Sequence, residues 1–127
     1  MAKKRIFISY DYDNDHHLPG SFFQQAEDPK SPFSGVNVSL REAHPDDKWV
    51  SEAQRRIQEC DCFIVLLGKN TFQAPGVLKE VNIAKGLNKK RFQIRPKGKS
   101  NVDNKPLLNA GKVIAWSWDN IFKEINR

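Results

Sequence analysis

KRIFISYDYDND (Lys4–Asp15) is the stretch that decides the fold, an apolar run that stops abruptly in acids. Its first part, RIFISY, is short, rich in β-branched and aromatic residues and nearly all apolar, which predicts a buried strand over Arg5–Tyr10. A first strand that delivers polar groups at its carboxyl end is the usual opening of an open α/β fold, and ligands bind at that end. The groups delivered here are Ser9, Tyr10 and Asp11.

Working outward, Leu18, Phe22, Phe23 and Ala26 recur at helical spacing, with Pro19 and Gly20 blurring the helix start. DPKSPFSG reads as a loop by composition, and GVNVSL (Gly35–Leu40) alternates as a second strand. After the charged loop REAHPDD, Asp46 and Asp47 can cap a helix whose apolar stripe is Trp49, Val50, Ala53, Ile57 and Cys60. DCFIVLLG (Asp61–Gly68) is apolar on both faces, the pattern of a central parallel strand. PGVLKEVNIAKG (Pro75–Gly86) predicts a helix, and RFQIRP (Arg91–Pro96) a fourth strand closed by proline. A long loop with one helical turn at Leu107–Leu108 leads to a fifth strand, KVIAW (Lys112–Trp116). The last helix, SWDNIFKEINR, buries Trp118, Ile121, Phe122 and Ile125.

Strands alternating with helices mean a parallel sheet covered on both faces. Five strands suit the flavodoxin-like three-layer sandwich with order 2-1-3-4-5, whose switch point lies between the first and third strands. Ser9, Tyr10 and Asp11 end the first strand, and Gly68, Asn70 and Thr71 follow the third. The expectation is one α/β domain over residues 1–127 with its ligand in that crevice.

At 127 residues the chain can bury a real core, and 39% hydrophobic with 28% charged residues describe an ordinary soluble globule. No apolar run approaches the ~20 residues that cross a bilayer, and MAKKRIFISY lacks the apolar stretch of a signal peptide. Cys60 and Cys62 are spaced too closely for a zinc pair or a redox CxxC. In a strand they would point the same way, as reduced, buried residues of a cytoplasmic protein. The net charge of +6 is uneven: between Lys85 and Lys112 nine basic residues face one acid, Asp103. No RNP-like strand, zinc finger or helix-turn-helix accompanies that face. Nucleic acid is therefore set aside as a partner in favour of a solvated surface or a phosphate-bearing small molecule.

One acid stands in the wrong place. Val77, Val81, Ala84 and Leu87 centre one face of the Pro75–Gly86 helix, and Glu80 falls between Leu87 and Ala84 on that wheel. A carboxylate near the sheet and near the strands' carboxyl ends can stabilise a cationic sugar centre or act as a base. It can equally be a boundary glutamate in the first helical turn, held by the helix dipole or a basic neighbour. Asp11, Asp13 and Asp15 could hold Mg²⁺, but that needs an acid after the third strand, where the sequence is LLGKN. Asp15 then reads as a cap of the first helix, and Asp11 as a contact for a ribose hydroxyl. His16, His17 and His44 show neither HxxxH nor HxH spacing, and GxGxxG and GxxxxGK[ST] are both absent. No metal or resident cofactor is expected.

These stretches together carry a resemblance. KRIFISYD at the first strand, WVSEAQRRI in the second helix, DCFIVLLG, GVLKEVNIA and the closing WSWDN resemble the TIR-like domains of the Thoeris anti-phage family over nearly the whole chain. The resemblance implies cleavage of the nicotinamide–ribose bond of NAD⁺, as substrate, to a cyclic ADP-ribose isomer that activates a separate effector. It implies Glu80 as the catalytic residue, in the position of the glutamate of W-x-x-x-E. Ser9, Tyr10 and Asp11 would bind substrate from the first strand's end, with Thr71 and Phe72 across the crevice. The tryptophan of that motif is replaced by Gly76, so Trp49 or Phe72 would line the pocket instead. The family also contains pure interaction modules that assemble with themselves or with other TIR domains. REAHPDDKW (Arg41–Trp49) lies where TIR domains carry a subunit-contact loop, and a homo-oligomer in which a neighbour completes the site is the second expectation.

Overall fold

The computed structural model describes residues 3–15, 17–39, 47–96, 98–100 and 102–127. The elements run β1 (Lys4–Ser9), α1 (Tyr12–Asp15), α2 (Gly20–Ala26), β2 (Phe33–Val38), α3 (Asp47–Glu59), β3 (Cys62–Leu66), a 3-10 turn (Thr71–Gln73), α4 (Pro75–Gly86), β4 (Lys90–Arg95), β5 (Val113–Ala115) and α5 (Trp118–Asn126). All neighbouring strands pair in parallel, in the order β2-β1-β3-β4-β5. This is the flavodoxin-like α/β sheet that the strand–helix alternation predicts.

Strand parity sorts the core into two faces. Ile6, Ile8, Tyr10, Cys62, Ile64, Leu66, Phe92 and Ile94 pack with Phe22 of α2 and Ile121 and Ile125 of α5. Phe7, Phe63, Val65 and Leu67 pack with Ile57 of α3 and Val77, Val81 and Ala84 of α4. The rings of Phe7 and Phe63 stack across the β1–β3 pair at 5.6 Å. Ser9 follows Phe7 by two residues, so parity aims it at α4.

Several local expectations are corrected. The second strand begins at Phe33 and ends at Val38, two residues earlier than the GVNVSL reading. Phe33 is fully buried, with Phe22 at 6.0 Å. Burying a Phe side chain stabilises by about 1.5–3 kcal/mol, more than the ~1 kcal/mol span of β-propensity. The loop-like composition of DPKSPFSG therefore loses to packing. Asp15 does not cap α2: it closes the one-turn α1, and α2 starts after Pro19 without a side-chain cap. No helical turn forms at Leu107–Leu108, because the buried Gln93 claims that backbone. Leu107 N–H donates to Gln93 Oε1 at 2.7 Å, and Gln93 Nε2 donates to the carbonyls of Leu107 (3.1 Å) and Gly111 (2.7 Å). Cys60 and Cys62 are free and buried as expected, but they face opposite layers. Cys60 still belongs to the end of α3, with its N–H on the Ile57 carbonyl, so strand parity does not apply to it. Burial pushes the two thiols up to about 11 and about 12.

Among the described residues no helix is long and apolar enough to cross a membrane. Asp46, His16 and most of the Arg41–Trp49 loop, with Glu42, His44 and Pro45, lie outside the described residues.

Candidate functional site

The site is built around Glu80. It stands in the second turn of α4, one turn later than the helix-dipole reading requires, and is 1% exposed. Its neighbours are hydroxyls rather than a basic side chain. Ser9 Oγ and Ser39 Oγ each donate to Glu80 Oε1 at 2.6 Å. Ser39 is itself placed by two backbone bonds: its N–H reaches the Ile8 carbonyl at 3.0 Å, and its Oγ accepts from Tyr10 N–H at 3.1 Å. The second carboxylate oxygen, Oε2, is buried without a hydrogen-bond partner among the described residues. Burial pushes the carboxyl up to about 7, against the two serine hydrogen bonds that hold it down.

Ser39 is the residue that sequence reasoning missed. The signal was present in parity. Val36 and Val38 pack on the α2/α5 side, which sends Asn37 and Ser39 to the other face. With Ile8 opposite Val38, Ser9 and Ser39 become neighbours beneath α4.

The remaining candidates fall into two further groups. The Tyr10 side chain packs in the α2/α5 core, with Tyr12 at 5.9 Å, and its hydrogen bond to the Glu80 centre is the backbone N–H on Ser39 Oγ. Its hydroxyl is pushed up to about 12, first by burial and then by Tyr12 and Glu80. Asp11 is nearly buried and accepts from Asn14 Nδ2 at 2.6 Å. It lines a groove of about 430 Å³ with Asn14, Asn70, Gln73, Ala74 and Pro75, the last being the first residue of Glu80's helix. Trp49 is brought to α4, its ring beside Gly76.

Thr71 is wholly buried and works inside the β3–α4 loop. It accepts the Gly68 N–H at 2.7 Å, and its hydroxyl lies 3.5 Å from both Asp15 Oδ2 and the Leu66 carbonyl. Gly68 leaves the space that the Asp15 carboxylate fills: a Cβ at that position would overlap it unless Asp15 moved. Burial raises the Asp15 carboxyl and Asp11 adds to it, while His17 and Thr71 oppose the rise. Phe72 is half-buried, with Lys105 Nζ 5.1 Å from its ring centre. Among the described residues no group of three or more His, Cys, Asp or Glu is arranged to hold a metal ion.

Four residues of the basic stretch are engaged in structure. Lys89 Nζ donates to the carbonyls of Gln58 (2.8 Å) and Cys60 (2.7 Å) at the end of α3. Lys90 Nζ donates to those of Ile125 (3.2 Å) and Arg127 (2.9 Å) at the end of α5. Arg91 Nε reaches the Asn109 carbonyl at 2.7 Å, and Lys112 pairs with Glu124.

Comparison with known proteins follows the same lines. A conserved protein from Enterococcus faecalis V583, 15% identical, superposes with a TM-score of 0.63 over 98% of each chain. The Clostridium botulinum CMP N-glycosidase BcmB, 16% identical, superposes with a TM-score of 0.52 over 94% of this chain and 98% of its own. At such identities the likeness is one of fold. Among curated proteins none matches by sequence. The TIR-like domain of Thoeris protein ThsB matches residues 7–101, from the first strand through the fourth and into the loop beyond it. The chain therefore belongs to the ThsB TIR-like domain family.

Proposed function

We propose that this TIR-like domain cleaves an N-glycosidic bond of a nucleotide, with the nicotinamide–ribose bond of NAD⁺ as substrate, and that Glu80 is the catalytic residue. The observation that carries this reading is the unpartnered Oε2 of a carboxylate whose other oxygen is held by two serines. A buried polar atom left without a partner costs about 1–3 kcal/mol, more if charged, and a ligand that engages it recovers that cost. The C1′–N bond breaks with its electron pair going to the pyridinium nitrogen. Neutral nicotinamide leaves without needing a proton. Positive charge collects on the ribose, and the Glu80 carboxylate stabilises it. Water, or a nucleophile within the same molecule, then attacks C1′ and loses its proton, giving ADP-ribose or a cyclic isomer as the signal for an effector in phage defence. BcmB acts on an N-glycosidic bond of CMP, the same bond class on a smaller nucleotide.

The test is incubation with NAD⁺, and separately with CMP, followed by chromatography of the products. Glu80→Gln should remove product while keeping the fold. If wild type and variant release nicotinamide at the same rate, the assignment fails.

A second reading is a non-catalytic TIR module that assembles with itself or with a TIR partner. Gly76 in place of tryptophan and the near-complete seclusion of Glu80 favour it. Absence of turnover at high concentration, together with concentration-dependent light scattering, would select this reading. Activity that rises more than linearly with concentration would join the two, with the neighbour completing the site.

A further inference from the structure

A second cavity lies away from Glu80. It encloses about 700 Å³ at the carboxyl ends of β1, β3 and β4, between the loop that holds Phe72 and the one that holds Lys99 and Lys105. This volume lies within the roughly 300–1,000 Å³ of small-molecule sites. Its walls carry three kinds of group. Lys69, Lys99 and Lys105 are exposed cations that form no ion pair among the described residues. Phe72 offers a half-buried ring, and the carboxylate of Asp15 sits at the side next to Gly68. These are the groups that recognise phosphates, a base and ribose hydroxyls respectively.

We propose that this cavity is a nucleotide-binding site distinct from the Glu80 centre. Phosphates lie among the three lysines, ribose hydroxyls donate to Asp15, and the base stacks on Phe72. The walls are pre-formed. Asn104 is buried and donates from Nδ2 to the Leu67 carbonyl at 2.7 Å, which fixes the outer loop to the end of β3. Asp103, the other acid at the rim, is engaged by Ser100 Oγ at 3.0 Å. Lys105 rests over the Phe72 ring. An arriving phosphate offers that ammonium a stronger, charge-assisted partner than the half-buried ring does. Lys105 then swings to the phosphate and frees the ring for the base. Asn70 lines both this cavity and the Asp11 groove, so the nucleotide site shares a wall with the approach to α4.

The experiment is calorimetric titration of the full chain with ADP, adenosine and inorganic pyrophosphate. ADP carries no nicotinamide bond, so its binding reports on the cavity whether or not NAD⁺ is cleaved. ADP should bind most tightly, pyrophosphate more weakly, and adenosine weakest of the three. Lys99→Ala/Lys105→Ala, at two exposed positions, should weaken ADP at least tenfold and adenosine hardly at all. Phe72→Leu should weaken ADP and leave pyrophosphate unchanged. No ADP binding up to millimolar concentration would overturn the proposal. So would ADP binding that the lysine pair does not change, or equal affinity for ADP and adenosine.

Discussion

The indole of Trp49 lies against the α-carbon of Gly76: a β-carbon placed there would sit 3.7 Å from Trp49 Cζ2. The family resemblance puts a tryptophan on α4 at this position. In this chain α3 supplies the indole from the side, and Gly76 leaves room for it.

The pair gives a swap test. Gly76→Ala meets only ordinary van der Waals contact and should be neutral, or stabilising by up to about 1 kcal/mol. Trp49→Ala should cost about 3–5 kcal/mol, as for a buried aromatic. Gly76→Trp should destabilise by itself and recover part of the loss when combined with Trp49→Ala. Urea melts of the four proteins close the cycle, and strict additivity would show that the rings do not compete for one space.

Glu80 should make stability depend on pH. Its folded value of about 7 lies above the ordinary 4.5, so the folded state holds the proton more tightly. The acid is neutral and harmless below pH 4.5, and stability falls as pH rises from 4.5 through 7. The full difference is about 3 kcal/mol, at about 1.4 kcal/mol per pH unit. Glu80→Gln should therefore melt above wild type at pH 8.5, and the gap should narrow or vanish at pH 4.5. Thermal melts at the two values read this directly.

The same titration should shape activity. The ionised carboxylate is the working form, so kcat/KM for NAD⁺ should rise about tenfold per pH unit below 7 and level off above it. A flat profile between pH 5.5 and 8.5 would remove Glu80 from the chemistry. At its plateau, Glu80→Gln should lose on the order of a hundredfold or more.

Ser9→Ala and Ser39→Ala should act through Glu80. Each removes a hydrogen bond to the charged form, so each should move the activity midpoint upward by about one pH unit. Activity should therefore fall more at pH 6.5 than at pH 9. Serine-to-threonine changes, which keep the hydroxyl, test whether loss of the bond or loss of packing is responsible.

Gly68→Ala should lower stability, because the new carbon enters the space of the Asp15 carboxylate and that side chain must move aside. Asp15→Gly in the same molecule should restore most of the lost stability. Equal melting temperatures for Gly68→Ala and wild type would show that Asp15 moves aside freely.

The sheet order was legible because five apolar runs alternate with helical patterns. Glu80 was legible because an acid on an apolar arc breaks the helical pattern. Ser39 lies inside the Gly35–Leu40 reading, and the alternation of Val36 and Val38 carried its signal. Phe33 does not set that phase, because the β1–β2 pairing shifts register between Phe33 and Gly35 and leaves Phe33 on the same side as Val36 and Val38. Thr71 looked like a ligand contact because it follows the third strand. A buried hydroxyl answering Gly68 N–H depends on the turn geometry, which composition does not encode. The long loop after β4 read as having a helical turn because nothing local announces that Gln93, fourteen residues before Leu107, takes its N–H.

Lys89 and Lys90 are adjacent, yet one holds the end of α3 and the other the end of α5. Those helices belong to opposite layers of the sandwich. A single dipeptide at the start of β4 thus moors both, and cations at helix C-termini are favoured there. Neither helix end can fray without disturbing the strand that anchors the other. The last turns of α3 and α5 should consequently exchange their amide hydrogens together, as one cooperative unit spanning the whole thickness of the protein.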